Sequence, residues 1–187
     1  SKILLYKKET DPSMKLVNDV LKLDKTNANA YFTKGMIYHY LGNKSLAISS
    51  YQTAIEMDAD YYDAYMNLGL LFSEQNDNNA IEYYNSAIDI FPSSIEAHRN
   101  KGLYYHFSGR YNKARISFSK VAEIDSTFEE AYFNIGNTYI GLYSDTMSVF
   151  SKDTTLNQAI YYFEKAIDIN PNYVQAIYNL GLQYEFK

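Results

Sequence analysis

Three histidines are the side chains of this chain best suited to acid–base or metal chemistry near neutral pH: His39, His98 and His106. A metal would need several such groups within one coordination sphere. His98 reads most simply as a packing aromatic, and the other two are far apart in the sequence. Cysteine is absent, so no disulfide, thiolate nucleophile or zinc-thiolate site is available. Paired carboxylates such as Glu129 and Glu130 stand where a helix starts and favour its dipole. The glycines are isolated and form no phosphate-binding loop. No serine or threonine stands in a nucleophile motif with a base partner. These residues therefore predict no catalytic group, no metal site and no cofactor.

The elements that would position any site are set by a recurring glycine. Gly35, Gly69, Gly102, Gly136 and Gly181 are separated by 34, 33, 34 and 45 residues. Each lies in one phrase: AYFTKGMIYHY, AYMNLGLLFSE, AHRNKGLYYHF, AYFNIGNTYIG and AIYNLGLQYEF. Let the alanine opening each phrase be position 3 of a repeat; the glycine is then position 8. Position 20 is Ala47, Ala80, Ala114 and Ala159, and position 24 is Tyr51, Tyr84, Phe118 and Phe163. Position 27 is Ala54, Ala87, Val121 and Ala166. Positions 4, 8 and 11, like 20, 24 and 27, share one face of a helix. Small residues let two helices approach, and aromatic rings fill the space between them. Pro92 and Pro171 stop the second helix in two repeats.

A repeat of this length predicts an all-α solenoid in which each unit buries its apolar face on its neighbours. The expected organisation is a single domain over 1–187. It comprises a partial repeat at 1–27, full repeats at 28–61, 62–94, 95–128 and 129–173, and a half repeat at 174–187. Val17 and Val20 then fall at positions 24 and 27 of the partial repeat, with a break at Asp11–Pro12. The fourth repeat carries an insertion near 142–155, read as a surface loop that costs little closure entropy. Its Thr155–Gln158 segment reads as a capping box for the next helix. Tyr143, Met147, Val149 and Phe150 are more apolar than a solvated loop needs and are expected to pack. His39 and His106 both take position 12, two repeats apart, so about 20 Å or more separates them, too far for one ion.

The pattern resembles the tetratricopeptide repeat over about residues 13–187, with Tyr31, Tyr65, His98, Tyr132 and Ile177 where the family often has tryptophan. The resemblance implies a right-handed superhelical solenoid of antiparallel helix pairs, with first helices lining a concave groove for peptides or proteins. Positions 2, 5, 6, 9, 12 and 13 would face it. Position 6 gives Asn67, Asn100 and Asn134, whose amides suit the backbone of an extended peptide. Arg99 adds a cation, and Phe133, Met66 and Tyr40 add apolar anchors. The lysine- and arginine-based carboxylate clamp of one subgroup is not matched, since Phe32, Glu96 and Asn100 stand where it needs other residues.

The function read from this is a non-catalytic protein- or peptide-binding scaffold. The alternatives are the interaction segment of a larger enzyme or regulator, and an exported cell-envelope scaffold anchored by a lipid. The net charge of −5 is spread out, with no basic stripe for nucleic acid. No apolar run is long enough to insert in a membrane. Leu180, Tyr184 and Phe186 of the last helix have no second helix to cover them. They point to a fragment of a longer array or to end-to-end self-association. Cytoplasmic and exported locations both fit this composition.

Overall fold

The computed structural model describes the backbone of residues 2–143 and 149–185, and the side chains of 12–143 and 152–185. Among these residues there are ten α-helices and no strand. Two compact units divide the chain, Ser1–Pro92 and Ser93–Lys187.

The first unit holds α1 (Lys2–Leu23), α2 (Ala28–Tyr40), α3 (Lys44–Met57), α4 (Tyr62–Glu74) and α5 (Asn79–Ile90). The break expected at Asp11–Pro12 does not occur: α1 runs through Pro12, which removes one ladder donor without ending the helix. Val17, with Val20 beside it, packs on Ala30 and Ile37 of α2. Side chains set where the helices begin. Asn27 accepts from the Ala30 amide at 2.9 Å, and Asn43 from the Leu46 amide at 3.2 Å, each satisfying an orphan first-turn donor. The turn between α2 and α3 uses Gly42 at φ +76°, and the turn between α4 and α5 uses Asn76 at φ +55°. Both lie in the left-handed region that glycine and asparagine tolerate best.

The second unit holds α6 (Ile95–Phe107), α7 (Tyr111–Ile124), α8 (Glu129–Tyr143), α9 (Val149–Ile169) and α10 (Val174–Glu185). Ser94 caps α6 by accepting from the Ala97 amide at 3.0 Å. The insertion differs from the loop expected of it. α9 starts at Val149, so most of the added residues lengthen a helix. Thr155 and Leu156 lie inside that helix and are buried. Thr155 is therefore a packed position and not the capping residue expected there. Tyr143 is half-buried, with the Lys152 ammonium 5.4 Å from its ring centre. The packing expected of Met147, Val149 and Phe150 falls on side chains outside those described.

Each helix pair closes around one contact. Position-24 rings lie over position-8 glycines of the same repeat. A Cβ added at Gly35 or Gly69 would stand 2.6 Å from Tyr51 or 2.5 Å from Tyr84. At Gly102 and Gly136 it would stand 2.6 Å from Phe118 and Phe163. All four rings are fully buried, each contributing about 1.5–3 kcal/mol of apolar burial. The neighbours at positions 20 and 27 are equally buried, so the helices meet through small residues on both sides of each ring.

Candidate functional site

The exposed face of the first helices is built by the same periodicity. In the first unit, α2 and α4 pack their position-3 alanines inward, which turns positions 9 and 13 outward. Met36, Tyr40 and Leu70 are consequently large apolar side chains left in water. In the second unit Phe107 of α6 is 81% exposed.

Position 5 behaves differently from expectation. Met66 is only 6% exposed and belongs to the core. Phe133 is half-buried, with its ring centre 5.1 Å from Tyr173 and 5.8 Å from Phe163. Phe32 makes the matching contacts with Tyr61 at 5.0 Å and Tyr51 at 5.5 Å. Phe32 and Phe133 thus reach the aromatic that precedes the next first helix of their own unit. Met66 therefore lies in the core and Phe133 is partly covered by Tyr173 and Phe163, whereas Tyr40 at position 13 is 59% exposed.

The asparagines are not equivalent. Asn67 Nδ2 donates to the Asp63 carbonyl of its own helix at 2.8 Å, which leaves Oδ1 available. Asn100 accepts a long contact of 3.4 Å from Arg99 Nη1. Asn134 is only 9% exposed, and its Nδ2 lies 3.5 Å from Glu130 Oε1. Arg99 is held by that same carboxylate oxygen, with Nε and Nη2 both 2.7 Å away. Its charge is therefore neutralised within the second unit and is not a lone groove cation.

A depression of about 320 Å³ opens in the first unit between Met36, His39, Tyr40, Tyr51 and Asn67. Tyr51 is fully buried, and its hydroxyl finds no hydrogen-bond partner. Burial pushes that hydroxyl up to about 12. One repeat later the equivalent Tyr84 hydroxyl lies 3.1 Å from Ser73 Oγ. His39 stands at the position of Ser73, so the Tyr51 hydroxyl has no short serine to meet. His106 takes that position beside Phe118, which has no hydroxyl, and its Nδ1 is buried without a partner. Burial lowers the His106 pKa below the ordinary imidazole value. Sequence reading missed Tyr51 and His39 as site residues; the signal was the pairing of positions 12 and 24.

Among the described residues, no group of three or more His, Cys, Asp or Glu side chains converges to hold a metal. No described helix is long and apolar enough to cross a membrane.

Paired helices closed by a glycine–aromatic contact define an all-α helical-repeat protein. Residues 35–76 match a TPR repeat model, and residues 63–94 and 95–128 match two tetratricopeptide repeat models. The chain belongs to the tetratricopeptide repeat family, and its fold is the family's solenoid of helix pairs. It is 28% identical over 113 residues to the UDP-N-acetylglucosamine–peptide N-acetylglucosaminyltransferase of Giardia intestinalis, covering 60% of this chain and 7% of that protein. It is 27% identical over 126 residues to the photosystem I assembly protein Ycf3 of Acaryochloris marina, covering 64% of this chain and 71% of that one. The crystal structure of MamA superposes with a TM-score of 0.73 at 26% identity, covering 90% of this chain and 93% of MamA.

Proposed function

We propose that the protein is a non-catalytic scaffold that holds an extended segment of a partner protein on its first-helix faces. The observation that carries this reading is the set of large apolar side chains kept in water at positions 9 and 13 of the first unit: Met36, Tyr40 and Leu70. Such side chains supply the anchors of peptide grooves, while a polar side chain of the same unit such as Asn67 aligns the backbone. The chain acts as one solenoid domain over 1–187 in this reading. Its likeness to a photosystem I assembly protein supports a role in bringing proteins together rather than in chemistry.

A second reading has its own support. The match to the Giardia transferase spans only 7% of that protein, so repeats of this kind also serve as a segment of a larger enzyme. Intact mass of the native polypeptide decides between a free-standing scaffold and such a segment. Self-association is a further part of the proposal, supported by the exposed Val174, Tyr178 and Tyr184 of α10. A sedimentation mass that stays monomeric as concentration rises would remove it.

The groove itself is tested by affinity capture from native extract with the wild-type chain and with Leu70→Ser. The Leu70 side chain is exposed, so the variant keeps its fold. A partner held by wild type and lost by the variant supports the groove. A partner held equally by both moves the binding surface elsewhere.

A further inference from the structure

The depression over Tyr51 combines features found nowhere else among the described repeats. It has a fully buried tyrosine whose hydroxyl lacks a partner, an asparagine with a spare acceptor, and two large half-exposed side chains. We propose that it is an anchor subsite for a carboxamide side chain, glutamine or asparagine, carried by a bound segment of net positive charge. The proposal rests on the groove-binding reading and names the chemistry of the bound partner.

The polar groups select the anchor. The Tyr51 hydroxyl stays protonated and donates, so it calls for an acceptor; a carboxamide carbonyl supplies one. Asn67 Nδ2 donates one of its two hydrogens to the Asp63 carbonyl, which fixes the amide, and its Oδ1 accepts a donor such as the carboxamide NH2. Met36 and Tyr40 flank the aliphatic stem. Water does not reach the Tyr51 hydroxyl in the free protein. Reaching that hydroxyl requires a lining side chain to move, and Met36, unbranched and half exposed, is suited to do so.

Charge selects the flanks. Between residues 35 and 92 stand Glu56, Asp58, Asp60, Asp63, Glu74, Asp77, Glu82 and Asp89. Across the described first unit these eight, with Asp19 and Asp24, outnumber Lys15, Lys22, Lys25, Lys34 and Lys44, and Lys44 is already 2.7 Å from Glu74. This field repels a carboxylate anchor and attracts cationic flanks. A cationic anchor would lose its water over a hydroxyl and a thioether, which disfavours it.

The test pans a displayed random-peptide library on the whole chain and then titrates individual synthetic peptides. Selected peptides should share Gln or Asn at one position among Lys and Arg. Replacing that residue by Leu, or making Tyr51→Phe, should each weaken binding by about fivefold to tenfold, without adding in combination. Phe118 and Phe163 already occupy the Tyr51 position in other repeats, so Tyr51→Phe keeps the fold. Peptides lost by Leu70→Ser but indifferent to Tyr51→Phe overturn the anchor and leave the groove standing. Selected peptides with an acidic or purely apolar residue at the shared position also overturn it. A library that yields no binder, or binders indifferent to both variants, removes the anchor together with the groove.

Discussion

Gly136 and Gly181 stand at the same place in nearly the same phrase, yet their surroundings are opposite. A Cβ on Gly136 would strike the Phe163 ring at 2.6 Å, whereas one on Gly181 would meet nothing within 4 Å. Both belong to the second unit. The difference is α9, which lays its ring against α8, while α10 has no following helix among the described residues to do the same. A repeat glycine therefore marks a capacity for close approach, and only the next helix turns that capacity into packing.

Breaking this comparison gives the largest expected effect. Gly136→Ala should destabilise the protein by about 1–3 kcal/mol, because the fully buried Phe163 ring has no room to retreat. Gly181→Ala should stabilise it by up to about 1 kcal/mol, the ordinary helix preference of alanine over glycine. Urea unfolding of the two variants checks the sign. If Gly181→Ala costs as much as Gly136→Ala, then α10 is covered in solution.

A second contrast, inside the first unit, sharpens the first. Tyr51 and Tyr84 fill the same position, but only Tyr84 finds a hydroxyl, that of Ser73. Tyr84→Phe should cost about 0.5–1.5 kcal/mol, the net worth of one hydrogen bond. Tyr51→Phe removes an unsatisfied buried group and should be neutral or stabilising by about 1 kcal/mol. Thermal melts of the two variants give the comparison directly, and equal losses would mean that the Tyr51 hydroxyl has a partner in solution.

Arg99 and Glu130 form the next step down. Their side chains are 35% and 30% exposed, so solvent screens much of the attraction. A double-mutant cycle with Arg99→Gln and Glu130→Gln should return a coupling below about 1 kcal/mol, falling further in high salt. A larger coupling that resists salt would show the pair to be better shielded than its exposure indicates.

The helix pairs were readable because positions 8, 20, 24 and 27 recur in every full repeat, and a helix converts that spacing into one buried face. Residues whose role depends on the neighbouring element were not readable. Met66 and Phe133 are placed in the groove by spacing alone, but Met66 is buried and Phe133 reaches Tyr173, just before the next first helix. The segment 149–156 carries Ser, Thr, Asp and Val, weak helix formers that suggest a loop. Burial of Thr155 and Leu156 holds the helix there, a tertiary effect that local propensity does not register. The Asn67 amide could be placed on the exposed face from sequence, but not its bond to the Asp63 carbonyl, which decides which of its atoms faces a ligand.

The smallest expected effect concerns His106, which meets position 12 without the hydroxyl that Tyr84 offers Ser73. Its ring lies 5.4 Å from Tyr111 and 5.5 Å from Phe107, in edge-to-face contacts, and its buried Nδ1 has no hydrogen-bond partner. Burial favours the neutral ring, so the folded pKa lies below the value of the unfolded chain. A depressed folded pKa means that the unfolded chain takes up the proton first. The stability held by the neutral ring is therefore complete above about pH 6.5 and is lost as the pH falls through and below it. His106→Phe keeps the aromatic contacts and removes the titration. The melting temperature of wild type should fall more steeply than that of the variant between about pH 7 and pH 5. The difference should be slight, because the ring is only half buried. Parallel curves would mean that protonated His106 finds an acceptor on this face, and the orphaned nitrogen would then belong to the neutral state alone.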